Sequence, residues 1–258
     1  GDDAAEIILD QNVGNTAYGE SAIWVIAGSD YRGTYALDDL AYAEIADPQG
    51  DTVTALSTDG QYFIVGQGQF RPGMTDGDDA ASFPMGGKVS IVGLLAGEFD
   101  SVASAADLEV SLPTEAQLGT SVDVGDYDDD GAMDLAMGAP TNEGVGTVYV
   151  LSGYKDFIGG DAEDATLNVA EAAAIQIHGT EGGLGTGLAI VDDVTGDGVT
   201  DFLVAESEVE SVGAVWVVSG ALLAEGDNAV EDVALLGLRA QYHVERIGHS
   251  MGAGDFDG

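Results

Sequence analysis

Short runs of β-branched and aromatic residues recur along the chain, each closed by glycine. The clearest pair is Gly146-Thr-Val-Tyr-Val-Leu-Ser-Gly153 and Gly213-Ala-Val-Trp-Val-Val-Ser-Gly220, with a weaker copy at Gly87-Lys-Val-Ser-Ile-Val-Gly93. Such a run predicts a buried strand that ends in a turn. A second unit, an apolar residue followed by glycine, recurs at Tyr18-Gly19, Leu118-Gly119, Leu184-Gly185 and Ile247-Gly248. Three of the four continue to a serine, at Ser21, Ser121 and Ser250. A further extended segment precedes each pair: Glu6–Leu9, Leu108–Leu112, Ile175–His178 and Val233–Leu236. The glycines of these pairs lie 100, 66 and 63 residues apart. The stretch from Tyr31 to Thr58 has no later counterpart and reads as an insertion that lengthens the first interval. Helical periodicity is scarce, with Ala162–Ala174 as the one Ala/Glu-rich stretch.

The expected fold class is therefore all-β. Four short antiparallel strands per unit of about 65 residues, joined by Gly/Asp-rich turns, point to the blades of a β-propeller rather than a sandwich. About three blades are expected, with partial ones at the ends. Residues 1–17 read as the outer strand of a preceding blade, and 18–117 as a blade with an insertion near 31–58. Residues 118–183 and 184–246 read as two further blades, and 247–258 as the start of another.

Charge sharpens this picture. The 258 residues carry 47 acidic side chains against 6 basic ones, a formal net charge of -41. Nucleic acid and anionic membrane surfaces both demand a Lys/Arg surface, so neither is an expected partner. No run approaches the 18 or so apolar residues of a membrane-spanning helix, so membrane insertion is not expected either. There is no cysteine, which excludes disulfides, thiolate catalysis and zinc–thiolate sites. At 45% hydrophobic residues the chain can build a core, but close-set carboxylates oppose compaction unless salt or multivalent cations offset them.

Two segments supply a place for such cations. Asp126-Tyr-Asp128-Asp-Asp130-Gly131-Ala-Met-Asp134 and Asp193-Val-Thr195-Gly-Asp197-Gly198-Val-Thr-Asp201 follow their apolar-Gly pairs at about the same distance. Calcium takes six to eight hard oxygen ligands. Alternate oxygens, with a glycine that lets the chain curl, deliver them from one short loop. The expected ligands are Asp126, Asp128, Asp130, the Ala132 carbonyl and Asp134 in the first loop. In the second they are Asp193, Thr195, Asp197, the Val199 carbonyl and Asp201. The flanks are strand-like and there is no Glu twelve residues after the first Asp, so this is not an EF-hand. Magnesium, which keeps several waters, fits less well. With Thr for Asp at its second ligand position, the second loop is expected to bind more weakly.

The succession of apolar-Gly, strand, Asp-x-Asp-x-Asp-Gly-x-x-Asp, Leu135-Ala-Met-Gly138-Ala139-Pro140 and a Gly-x-Val-Tyr-Val strand resembles the FG-GAP repeat. That repeat builds the N-terminal β-propeller of integrin α-chains and many bacterial surface proteins. The resemblance is strong over 118–153, good over 184–220 and weak over 18–93. It implies a calcium loop between the two inner strands of a blade, and ligands or partner subunits on the opposite face. Departures from the pattern are visible. Val204-Ala-Glu206 replaces Gly-Ala-Pro, and Ile26 stands where the first calcium Asp of the first repeat would fall, so no calcium of this type is expected in that blade. Asp59-Gly60 reads as a remnant of the motif. Asp255 and Asp257 read as the opening half of a further calcium loop.

Gly248-His249-Ser250-Met251-Gly252 matches the nucleophile elbow of α/β-hydrolases, but a Gly/Asp turn follows it where that motif needs a helix. His178, His243 and His249 have no metal-binding spacing, and no pair of carboxylates stands out for glycoside hydrolysis. The expected role is thus non-enzymatic. It is that of a calcium-binding propeller module of a secreted or cell-surface protein, with a protein or glycan ligand or neighbouring copies of itself as partners. Two alternatives stay open: a structural subunit of an extracellular filament, sheath or surface layer, and the accessory propeller of a secreted hydrolase or lyase.

Overall fold

The computed structural model describes residues 7–12, 21–26, 41–47, 53–70, 85–93, 97–99, 102, 106–113, 115–159, 166–207, 213–239, 247–248 and 251–253. They are mostly β, in four sheets. The first contains β1 (Ile7–Asn12), β2 (Ser21–Ile26), β3 (Ala41–Asp47) and, at its edge, β7 (Gly97–Phe99). The second runs through β4 (Ala55–Thr58), β5 (Tyr62–Gln67), β6 (Lys88–Gly93) and β8 (Leu108–Ser111) to β12 (Thr166–Asn168). The third runs through β9 (Ser121–Gly125), β10 (Asp134–Ala139), β11 (Thr147–Leu151) and β13 (Ile175–His178) to β17 (Gly226–Ala229). The fourth is β14 (Leu184–Val191), β15 (Asp201–Glu206), β16 (Ala214–Val218) and β18 (Ala234–Arg239).

Sheets two to four are each a four-strand antiparallel meander, the pattern expected of the repeat. A feature that the repeat pattern does not announce ties each sheet to the next. The outermost strands β3, β8 and β13 each take a short parallel strand, β7, β12 and β17. Each of these comes from between the third and fourth strands of the following unit, so every unit reaches back over its predecessor.

Strand pairing departs from the expected boundaries in the N-terminal third. Residues 18–117 do not form one unit. Ser21–Ile26 is not an innermost strand, because β1 pairs one edge of it and β3 the other. Its Trp24, opposite Leu9, occupies the register of Tyr149 opposite Met137 and of Trp216 opposite Val204. That makes β2 a third strand and β1 a second strand rather than the outer strand of a preceding sheet. Nor is 31–58 a plain insertion, since it holds the outermost strand of the first sheet and the first strand of the second. The bulky Trp24 and the glycine at Gly28 are signals of a third strand, and the Tyr18-Gly19 pair obscures them.

Successive sheets bury their side chains against one another. Val89, Ile91 and Val110 meet Leu135, Met137 and Leu151 between sheets two and three. Val148, Ile175 and Ile177 meet Phe202, Val204 and Trp216 between sheets three and four. Ile23 and Val25 meet Phe63 and Val65 between sheets one and two. The apolar-Gly pairs seat each sheet on the last. Gly119 and Gly185 have φ of +86° and +89°, and a Cβ on Gly138 would collide with the Gly185 carbonyl. Glycine is required at both faces of that crossing. The innermost strands are also laced together: Asp123 on β9 accepts from Ser57 Oγ on β4 at 2.8 Å and from the Ile190 N–H on β14 at 2.8 Å.

Register aligns Ala205-Glu206-Ser207 with Gly138-Ala139-Pro140, one residue beyond the alignment read from the sequence. The fully buried Glu206 accepts from the Thr180 and Glu181 N–H groups at 2.5 and 3.0 Å and from Trp216 Nε1 at 2.8 Å. It thereby staples the link between sheets three and four. Removing it leaves the buried Trp216 N–H and the part-buried N–H groups of Thr180 and Glu181 without their acceptor. Glu206→Ala should therefore lower unfolding free energy by about 3 kcal/mol in a urea titration, although it also lessens the net negative charge. A neutral or stabilising effect would contradict the staple.

Candidate metal centre

Each acidic loop is the hairpin turn between the first and second strands of its sheet. The first joins β9 to β10 and the second joins β14 to β15. The loops curl because short acidic side chains bond the backbone ahead of them. Asp126 accepts from the N–H of Asp130 and of Gly131, Asp128 from that of Asp130, and Asp130 from that of Ala132, at 2.7–3.2 Å. Asp193 repeats this toward Gly196, Asp197 and Gly198, and Asp197 toward Val199. Left-handed backbone falls at matching places, at Asp129 and Gly131 in one loop and at Gly196 and Gly198 in the other. Ala132 and Val199 thus occupy equivalent positions just past the turn.

The loops differ in how they gather charge. Ligand oxygens of Asp126, Asp128 and Asp130 lie within 4.8 Å of one another, the one such cluster of three among the described residues. Thr195 replaces the middle carboxylate in the second loop. There Asp197 also accepts from Ser219 Oγ at 2.6 Å. That bond first, then the one from the Val199 N–H, holds its carboxyl below the usual range. Asp193 is held low likewise, chiefly by the Gly198 N–H. No Lys or Arg among the described residues pairs with a carboxylate of either loop.

The closing aspartates turn inward and do not join the cluster. Asp134 is buried and accepts from the Tyr127 N–H at 3.0 Å and the Gly153 N–H at 2.8 Å. Asp201, also buried, accepts from the N–H groups of Val194 and Thr195 and from that of Gly220. Each closing residue therefore pins its own loop to the chain just beyond the third strand. Gly153 and Gly220, the glycines that end the repeated strand motif, are the supporting residues that the sequence reading left out. The donor set fits a hard divalent cation. It offers three gathered carboxylates in one loop, two carboxylates and a hydroxyl in the other, and a closing carboxylate whose oxygens keep further lone pairs.

The corresponding turn of the second sheet is different. There Asp59, as the motif remnant, sits in the β4–β5 turn and accepts from the Gln61 and Tyr62 N–H groups. Lys155 and the Tyr154 hydroxyl reach it from beyond β11, at 2.5 and 2.8 Å. Burial pushes the Asp59 carboxyl up, but Lys155 and the N–H donors outweigh it and hold it below the usual range. A side-chain ammonium thus serves the hairpin that lacks the acidic loop. Asp255, Asp257, His249, Ser250 and the acidic run at 76–79 lie outside the described residues.

Burial, together with the charges of Asp128 and Asp130, raises the Asp134 carboxyl to about 6, against the two N–H bonds that lower it. A folded-state value above the unfolded one means that metal-free folded protein holds this proton more tightly than the unfolded chain does. The group therefore adds stability as pH falls from about 6 toward about 4. In a chelator, melting temperatures of the parent chain across this window should rise more on acidification than those of Asp134→Asn. Parallel curves for the two proteins would contradict the assignment.

Comparison with known proteins fits this geometry. No curated protein matches the chain. The FG-GAP repeat matches residues 118–151. That stretch is the Leu118-Gly119 pair, β9, the first acidic loop, β10 and β11, so this part of the chain carries an FG-GAP repeat.

Proposed function

We propose that the two acidic hairpins bind calcium, and that the chain is a metal-braced module of the β-propeller type from a secreted or cell-surface protein. Its role is to present a surface to a protein or glycan ligand rather than to catalyse a reaction. The observation that carries the reading is the gathering of Asp126, Asp128 and Asp130 around one point in a hairpin where no Lys or Arg among the described residues pairs with them. The repeat matched over 118–151 supports the propeller and the surface setting, since FG-GAP repeats occur in extracellular or surface proteins in general.

Asp126, Asp128, Asp130 and the Ala132 carbonyl would hold the first ion, with Asp134 behind them. Asp193, Thr195, Asp197 and the Val199 carbonyl would hold the second, backed by Asp201. A bound cation offsets repulsion among the carboxylates and fixes the hairpin between two strands. Because it binds the folded state only, it adds roughly 2.7 kcal/mol per site at a hundredfold excess over its dissociation constant.

Isothermal titration with calcium should resolve a tighter and a weaker site. Asp130→Ala should abolish the tighter one and Asp197→Ala the weaker one. Equal losses of affinity would contradict the ranking of the loops, and no binding heat in the parent chain would contradict the metal reading. Terbium offers a local check, because Tyr127 lies inside the first loop. Tyrosine-sensitised terbium emission should appear in the parent chain and fall strongly in Tyr127→Phe. Emission unaffected by that substitution would place the ion elsewhere.

A further inference from the structure

The segment that follows β11 is gripped from two sides. On one side stands the first acidic loop, whose last two residues accept from it. The Asp134 carboxylate accepts from the Gly153 N–H at 2.8 Å, and the Met133 carbonyl from the Tyr154 N–H at 3.2 Å. On the other side stands the β4–β5 hairpin of the second sheet. Its Asp59 has a side chain only 1% exposed, and both carboxylate oxygens are occupied. Oδ1 accepts from the Gln61 and Tyr62 N–H groups. Oδ2 accepts from the Tyr154 hydroxyl at 2.8 Å and from the Lys155 ammonium at 2.5 Å. Lys155 also donates to Gln61 Oε1 at 3.1 Å, and the Tyr154 ring meets Tyr62 edge-on, with centroids 6.3 Å apart. Three consecutive residues, Gly153, Tyr154 and Lys155, thus tie an acidic loop to a hairpin of the sheet before it.

The fourth sheet supplies a comparison inside the molecule. There Gly220 stands where Gly153 does, so Ala221 and Leu222 take the places of Tyr154 and Lys155. Neither has a polar side-chain atom, and Leu222 is 48% exposed, so neither can grip a carboxylate as Tyr154 and Lys155 do. The bond from this glycine to its closing aspartate is also longer, at 3.3 Å from the Gly220 N–H to Asp201. Two loops of one design therefore differ in what stands behind the closing carboxylate.

We propose that Tyr154 and Lys155, clamped on Asp59, are positioning residues for the ion of the first loop. They act through Gly153. With its two neighbours anchored in the preceding sheet, the Gly153 N–H keeps its place and fixes the Asp134 carboxylate, whose other lone pairs stay available to a cation. An outer-shell bond of this kind orients a ligand before the metal arrives. The role rests on the reading of the loop as a metal site, and it gives the first site a support that the second lacks. Linkage makes the effect mutual, so an ion in the first loop also tightens the clamp on Asp59 in the neighbouring sheet.

Charge and position predict opposite signs, which makes Lys155→Met decisive. Removing an ammonium makes the chain more negative, so Coulomb attraction alone would leave calcium binding unchanged or tighter. Loss of positioning should instead weaken the first site by about tenfold in isothermal titration and leave the second site as it was. Tyr154→Phe, which removes a hydroxyl and no charge, should weaken the same site several-fold. Leu222→Met, at the matching place in the fourth sheet, should change neither site. A first site unchanged or tighter in Lys155→Met would overturn the proposal, and so would equal weakening of both sites. A second readout needs no metal. In chelator, the losses of urea unfolding midpoint caused by Asp134→Ala and Lys155→Met should be non-additive, with the double variant losing less than the sum of the single ones. A parent chain that binds no calcium would overturn the metal reading together with this role. A parent chain that binds calcium, with additive losses in chelator, would overturn this proposal alone.

Discussion

Like charge held at short range is the constraint around which this molecule is arranged. With 47 carboxylates and 6 basic side chains, most acidic groups must find a partner other than Lys or Arg. The chain solves this in two ways at equivalent hairpins. In the second sheet a single Asp59 receives Lys155 and two backbone N–H groups. In the third and fourth sheets the turn is longer, and its carboxylates are met by backbone N–H groups and, in the fourth, by the Ser219 hydroxyl as well. Those bonds are made by neutral donors, which shape the loop without neutralising it, and the proposed divalent cation would offset the charge that is left.

The hairpins are not isolated features of the surface. Asp134 and Asp201 connect each loop to the end of its third strand through Gly153 and Gly220. The residue after Gly153 is the fully buried Tyr154, whose hydroxyl reaches Asp59 in the neighbouring sheet. The first acidic loop, its own sheet and the contact with the preceding sheet are therefore one mechanical unit. Asp123 and the glycine crossings do the same for the innermost strands. Order in a loop is thus transmitted to the packing of sheet on sheet.

Much of this was legible in the chain itself. The β-branched runs at 147–151 and 214–218, the glycine pairs and the two acidic spacings locate sheets three and four and both loops, because there each local signal agrees with its neighbours. The N-terminal third misled because Tyr18-Gly19 mimics the lead-in of an innermost strand, while the register that identifies β2 as a third strand depends on its partners β1 and β3. The short parallel strands were illegible for a similar reason. Thr166–Asn168 and Gly226–Ala229 have little apolar pattern of their own, and they exist only against the edge of the preceding sheet. The inward turn of Asp134 and Asp201 was hidden as well, since spacing gives a carboxylate's position but not which donors it meets.

The central claim is that folding takes up divalent cations at the acidic hairpins. It is tested most directly by equilibrium unfolding in urea across a range of calcium concentrations at fixed ionic strength. Linkage predicts that stability rises by about 1.4 kcal/mol for each tenfold increase in free calcium per ion bound. Two loops therefore give a slope of about twice that once both are near saturation. A stability that responds to ionic strength but stays flat against calcium would contradict the account.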